Sequence, residues 1–136
     1  MNLSTFERPL IMAHRGFQSD YPENTMAAFM AAVKAGAQFL ELDVNFTHDR
    51  QVVVLHDDTV DRTTNGNGPV HGYLLSELKQ LDAGSWFHPR FAEERIPTLS
   101  EVLDRFAGRT CLNIEIKPYD HASGAGSDRI ERAVVD

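Results

Sequence analysis

The sequence is short of cysteine, of basic charge and of long apolar runs, and each shortage excludes something. One cysteine, Cys111, stands in 136 residues, so no intrachain disulfide can form. It sits in the apolar run TCLNIEI and reads as a buried strand residue rather than a nucleophile. Lys and Arg number 13 against 20 Asp and Glu, a net charge of −7. No basic stripe exists to neutralise the phosphates of a nucleic acid, which is therefore not expected as a partner. A small anionic substrate stays open, because a local site can differ in sign from the whole. No stretch approaches the roughly 20 apolar residues needed to span a bilayer. The start, MNLSTFERPLIMAHRG, carries Glu7 and Arg8 and only a brief apolar run, unlike a secretory signal. A cytoplasmic protein is expected.

What is present suffices for one domain with a core, since 42% of the residues are hydrophobic. PLIMAHRG (9–16) reads as a short strand entering a loop. A helix follows to about Ala35, with Met26, Phe29, Met30 and Val33 as its apolar stripe, Asn24 or Thr25 as cap and Gly36 as stop. QFLELDV (38–44) is a second strand, THDR (47–50) a turn and QVVVLHD a third extended run. Residues 58–97 read as irregular, with a short helix opening at Ser76. Residues 97–108 form the clearest helix, with a Thr98–Glu101 capping box and a stripe of Leu99, Val102, Leu103 and Phe106. TCLNIEIKP is a strand, and DRIERAVVD opens another helix. Strands alternating with helices predict an α/β fold with a parallel, helix-covered sheet.

Two of the strands carry acids. Residues i and i+2 share a face, so Leu40, Leu42 and Val44 face one way and Glu41 and Asp43 the other. Ile114 and Ile116 likewise oppose Asn113, Glu115 and Lys117. A barrel of parallel strands accommodates polar residues inside at the strand C-termini, where its active site lies. Glu41, Asp43 and Glu115 converging there would repel one another unless a cation sat between them. An all-oxygen set suits Mg²⁺ or Ca²⁺. A hairpin centred between His48 and Asp49 would set position 56 opposite position 41 and bring His56 to the carboxylates. His14, ending the first strand, reaches the same mouth with Arg15 beside it. Two histidines, a metal and a cation form a constellation for phosphoryl transfer. His48, His71, His88 and His121 read as solvated loop residues.

The motifs AHRG (13–16), PENT (22–25), ELDV (41–44), VVVLHD (52–57), RTTNGNG (62–68), IPTLSEVL (96–103) and IEIKP (114–118) occur in that order. Together they resemble the N-terminal part of a glycerophosphodiester phosphodiesterase. The resemblance implies a TIM barrel, with barrel parts at 9–56 and 97–136 and an insertion at about 57–97. It implies hydrolysis of a small glycerophosphodiester, such as glycerophosphocholine or glycerophosphoethanolamine, to glycerol 3-phosphate and an alcohol. It implies that Glu41, Asp43 and Glu115 bind the divalent ion, that His14 and His56 are the acid–base pair, and that Arg15 and Lys117 hold phosphate. Glu23 or Asn24 would support the site. A whole barrel takes about 250 residues, so an incomplete barrel is expected. The alternatives are a phosphodiesterase like the phospholipases D of the sphingomyelinase type, and a non-catalytic fragment or an assembly partner in an oligomer.

Overall fold

The computed structural model describes residues 9–116 and Val134. The elements run β1 (Met12–His14), α1 (Met26–Lys34), β2 (Phe39–Phe46), β3 (Val52–Val54), α2 (Leu75–Leu78), α3 (Leu99–Phe106) and β4 (Cys111–Ile116). Short 3₁₀ turns at Val70–Gly72 and Pro89–Phe91 punctuate the connection between β3 and α3. The expected helix at the C-terminal end lies outside the described residues except for Val134, which packs against the core.

β2 is the hub of the sheet. β4 pairs with it in parallel along one edge, from Phe39↔Cys111 to Val44↔Ile116. The other edge is shared: β1 runs parallel to its first half, and β3 antiparallel to its last residues. The right-handed βαβ rule places α1 and α3 on one face, and the packing agrees. Phe29 and Ala32 of α1, Leu40, Leu42 and Val44 of β2, and Leu99, Val102 and Phe106 of α3 share one buried cluster. Phe29 and Phe106 meet edge to face at 6.2 Å.

Both helices begin where the sequence provides a cap. Thr25 accepts from the Ala28 amide, and Thr98 and Glu101 exchange both bonds of a capping box. The apolar stripe of α1 differs from expectation at Met30, which is 44% exposed. Ala28 and Ala32 are buried instead: Ala32 joins the sheet-facing cluster, and Ala28 lies against the Gly16 loop. Cys111 is half-buried rather than buried.

The stretch after β3 has a core of its own. Val53 and Leu55 turn away from the main cluster to pack with Val60, Val70, Leu78 and Ile96. Val52 and Val54, of opposite parity, pack against the first cluster. β3 is thus a wall between two cores. Its outer edge is covered, with the Val54 amide donating to the Pro97 carbonyl at 2.8 Å. Among the described residues no helix is long and apolar enough to cross a membrane.

Candidate active site

The face of β2 away from the helices carries Glu41 and Asp43, 4% and 0% exposed. The parallel register puts Asp43 directly opposite Glu115 and Glu41 opposite Asn113. One carboxylate oxygen from each of Glu41, Asp43 and Glu115 lies within 4.8 Å of the others. A hard cation held at about 2.0–2.6 Å from each oxygen fits such a triangle. Without one, two buried carboxylates beside a third carry a heavy desolvation and repulsion cost.

The loop after β1 supplies what the protein itself offers those acids. Arg15 adopts a left-handed backbone, φ +54°, uncommon for a non-glycine residue. This turns its amide onto Glu41 Oε2 at 2.9 Å. Its guanidinium Nε lies 3.4 Å from Asp43 Oδ2, and Nη1 donates to Glu23 Oε1 at 3.2 Å. Gly16 continues the left-handed path at φ +84° and presses on α1, where an added Cβ would fall 2.7 Å from the Ala28 Cβ. Asn24 is also left-handed (φ +56°) and 3% exposed, and its Nδ2 donates to Asp43 Oδ2 at 3.0 Å. Both Glu23 and Asn24 therefore touch the site's polar network.

His14 pairs with Glu41 on the β1–β2 ladder. Its Nε2 lies 3.9 Å from Glu41 Oε2, and its Nδ1 faces the Gln18 Nε2 amide at 2.8 Å. The ring is 53% exposed, open to a ligand arriving at the mouth. His56 sits differently from expectation. The hairpin register is Val44↔Val54, Asn45↔Val53 and Phe46↔Val52, one residue off the expected one. The cause is the turn: the Thr47 amide bonds to the Gln51 carbonyl, leaving a three-residue loop closed by Arg50 in the left-handed region. The Leu55 amide then donates to the Asp43 carbonyl. His56 follows at the same end of the sheet, and its Nδ1 lies 2.6 Å from Asp57 Oδ1. Lys117 lies outside the described residues. His48, His71 and His88 are exposed, as expected of loop histidines, and His121 lies outside the described residues.

Sequence reasoning assigned no role to Gln18, Asn45, Asp57 and Arg62, which build this region. Gln18 holds His14. Asn45, on the same face as Glu41 and Asp43, donates to the carbonyls of Leu55 and Asp57 at 3.0 and 3.2 Å. Arg62 bonds both Asp57 and Glu23. The i, i+2 spacing from Asp43 to Asn45 was the one available signal. Arg62 holds the Asp57 carboxyl well below the usual carboxylate range, against the opposing effect of desolvation. Burial would raise Glu23, but the hydrogen bonds and charges of Arg62 and Arg15 outweigh it and lower its pKa. Arg62 in turn is pushed up by Glu23 and Asp57.

Known proteins repeat this pattern. The model of the glycerophosphoryl diester phosphodiesterase family matches residues 14–136. A glycerophosphodiester phosphodiesterase of Caldanaerobacter subterraneus subsp. tengcongensis is 53% identical over 111 residues, covering 81% of this chain and 46% of the relative. The crystal structure of glycerophosphodiester phosphodiesterase from Agrobacterium tumefaciens is similar at TM-score 0.79 and 45% identity, over 85% of this chain and 50% of that one. An Oleispira antarctica phosphodiesterase, solved in complex with the product sn-glycerol-3-phosphate, is similar at TM-score 0.76 and 42% identity, over 82% of this chain and 46% of that one. The chain thus spans about half the length of the relatives it matches, and its α/β fold is part of their TIM barrel. These relatives favour the glycerophosphodiester reading over the sphingomyelinase type. With the acidic strand pair, the AHRG loop and the His–Asp step all in place, and the family model running from His14 onward, the chain belongs to the glycerophosphoryl diester phosphodiesterase family.

Proposed function

We propose that this chain carries the metal and acid–base residues of a phosphodiesterase that hydrolyses small glycerophosphodiesters to glycerol 3-phosphate and an alcohol. One observation carries the reading. Three carboxylates of a family member lie within 4.8 Å of one another, on the sheet face that also presents His14 and Arg15. The donor set fits the group it would hold, because oxygen-only ligands suit Mg²⁺ or Ca²⁺ and not a thiolate- or imidazole-seeking metal. Glu41, Asp43 and Glu115 would hold the ion, which when bound supplies positive charge against the phosphate oxygens.

The chain's own residues do the rest. Arg15 and Lys117 hold the phosphate, with Glu23 and Asn24 fixing Arg15 and Asp43. His14 and His56 exchange the two protons of the reaction, one with the attacking oxygen and one with the leaving alkoxide. Gln18 Nε2 lies 2.8 Å from His14 Nδ1, which leaves His14 Nε2 on the side of Glu41 and the mouth for that exchange. A cytoplasmic setting suits a chain with a single cysteine.

The test is release of glycerol 3-phosphate from glycerophosphoethanolamine by the purified chain, with Mg²⁺, with Ca²⁺ and with chelator, beside Glu41→Gln. Turnover abolished by chelation and by the substitution supports the reading. Turnover that survives both overturns it.

A further inference from the structure

A charged chain crosses the mouth of the sheet from the carboxylate cluster to His56. Arg15 stands between Asp43 and Glu23. Arg62 then grips Glu23 with two bonds, Nη2 to Oε1 at 2.8 Å and Nη1 to Oε2 at 2.9 Å. It grips Asp57 with two more, Nε to Oδ2 at 2.7 Å and Nη2 to Oδ1 at 2.9 Å. Asp57 Oδ1 meets His56 Nδ1 at 2.6 Å.

One planar guanidinium thus fixes two carboxylates that come from different parts of the chain, the loop before α1 and the segment after β3. The Arg62 side chain is 44% exposed, and half-exposed ion pairs contribute little stability. The geometry is the point. A double fork fixes direction as well as distance, which a lysine ammonium could not do.

We propose that Asp57 and Arg62 are positioning residues for His56: Asp57 accepts the Nδ1 proton, Arg62 anchored on Glu23 holds Asp57 in place, and Nε2 is left as the nitrogen that exchanges protons with substrate. The chemistry of the partners requires that tautomer. An ionised carboxylate can only accept, and Asp57 is kept ionised by Arg62. The proton between Asp57 and His56 therefore belongs to Nδ1, and the lone pair to Nε2. Without Asp57 the neutral ring would divide between two tautomers. Asn at position 57 could present an N–H to Nδ1 and favour the wrong one. The catalytic consequence rests on the phosphodiesterase reading; the tautomer does not.

The experiment is a long-range ¹H–¹⁵N spectrum of the histidine rings of the whole chain without metal, at about pH 8.5, above the ordinary imidazole pKa of about 6.5. His14, which lies outside the Arg62 bonds, is the internal reference. The wild type is expected to show His56 protonated on Nδ1. Asp57→Asn is expected to lose that signature, and Arg62→Met to weaken it, while the His14 signals stay. A wild-type His56 protonated on Nε2, or evenly divided, overturns the proposal without recourse to any variant. In the turnover assay kcat should fall about 10²-fold or more in Asp57→Asn, with KM changed by less than about threefold. Arg62→Lys should fail to restore the rate lost in Arg62→Met. Full rescue by Lys would reduce Arg62 to a charge and overturn its positioning role. An Nδ1-protonated ring with unchanged kcat in Asp57→Asn would overturn the role of Asp57. An inactive wild type would count against the phosphodiesterase reading alone, because the ring spectrum judges the positioning separately.

Discussion

Asp43 and Glu115 stand directly opposite one another on the parallel β2–β4 ladder, with the helix-facing residues Leu42, Val44, Ile114 and Ile116 on either side of them in sequence. Like charges on directly paired strand residues destabilise a sheet. Arg15 and Asn24, which both reach Asp43, offset part of that repulsion.

A divalent ion that binds only the folded chain should therefore raise its melting temperature. At a hundredfold excess over Kd the gain is about 2.7 kcal/mol. Glu115→Gln should abolish most of the Mg²⁺- or Ca²⁺-dependent shift, yet melt no lower than the wild type in chelator, because it removes a repulsion. Differential scanning fluorimetry with and without ion reads both effects. A full ion-dependent shift in the variant would remove Glu115 from the ligand set.

Acid should unfold the chain partly through the Arg62 clamp. Asp57 and Glu23 both have folded pKa values below their ordinary ones, which lie at about 3.9 and 4.3. Between the two values the unfolded chain binds protons that the folded chain does not, so stability rises with pH there. The contribution is complete above about pH 5 and is lost as pH falls through the folded values. Arg62→Met removes the main attractive cause for both groups. Melting curves from pH 7 to pH 2 should show a shallower acid-side decline in the variant. Parallel curves would mean that the clamp contributes nothing to linkage.

Much of this arrangement was legible in the sequence because it rests on short-range periodicity. The acids at Glu41, Asp43 and Glu115 stand out because a strand has a period of two, and the α3 capping box is a four-residue pattern. The hairpin register was not legible. Whether the THDR turn holds two residues or three depends on Arg50 entering the left-handed region, which an arginine side chain does not advertise. Met30 misled because a stripe counted in large side chains overlooks Ala28 and Ala32. The Glu23–Arg62–Asp57 clamp joins residues from separate loops. No local spacing encodes such a contact, although both PENT and RTTNGNG were visible as motifs.

Gly16 is required twice over, by its φ of +84° and by Ala28, whose Cβ and carbonyl carbon would lie 2.7 and 2.8 Å from an added Cβ. Gly16→Ala should thus push the loop off α1, lengthening the Phe17 amide bond to the Ala28 carbonyl, now 3.0 Å. The loss should exceed the roughly 1 kcal/mol typical of a glycine in a left-handed position, because the overlap is with backbone as well as side chain. Arg15, one residue back, should lose its hold on Glu41, so ion affinity should weaken along with stability. Urea unfolding and an ion titration measure the two separately. Wild-type values in both would mean that the loop has room to relax.

Asn45 offers the sharpest separation of support from chemistry. It extends the Glu41–Asp43 face by one step, carries no charge, and donates through Nδ2 to the Leu55 and Asp57 carbonyls on either side of His56. Those two bonds set the path of the backbone that presents the imidazole. Asn45→Ala removes the donor and leaves both carbonyls to find other partners, at a cost of about 1–3 kcal/mol. Asn45→Asp removes it as well and adds a fourth acid beside Asp43, so it should cost more in chelator and recover part of the loss with a divalent ion. The alanine variant should keep its ion-dependent melting shift, since none of Glu41, Asp43 and Glu115 is touched, while losing ordered His56 ring signals and turnover. Should the ring signals and turnover of Asn45→Ala match the wild type, the backbone around His56 is held by its own turn rather than by Asn45.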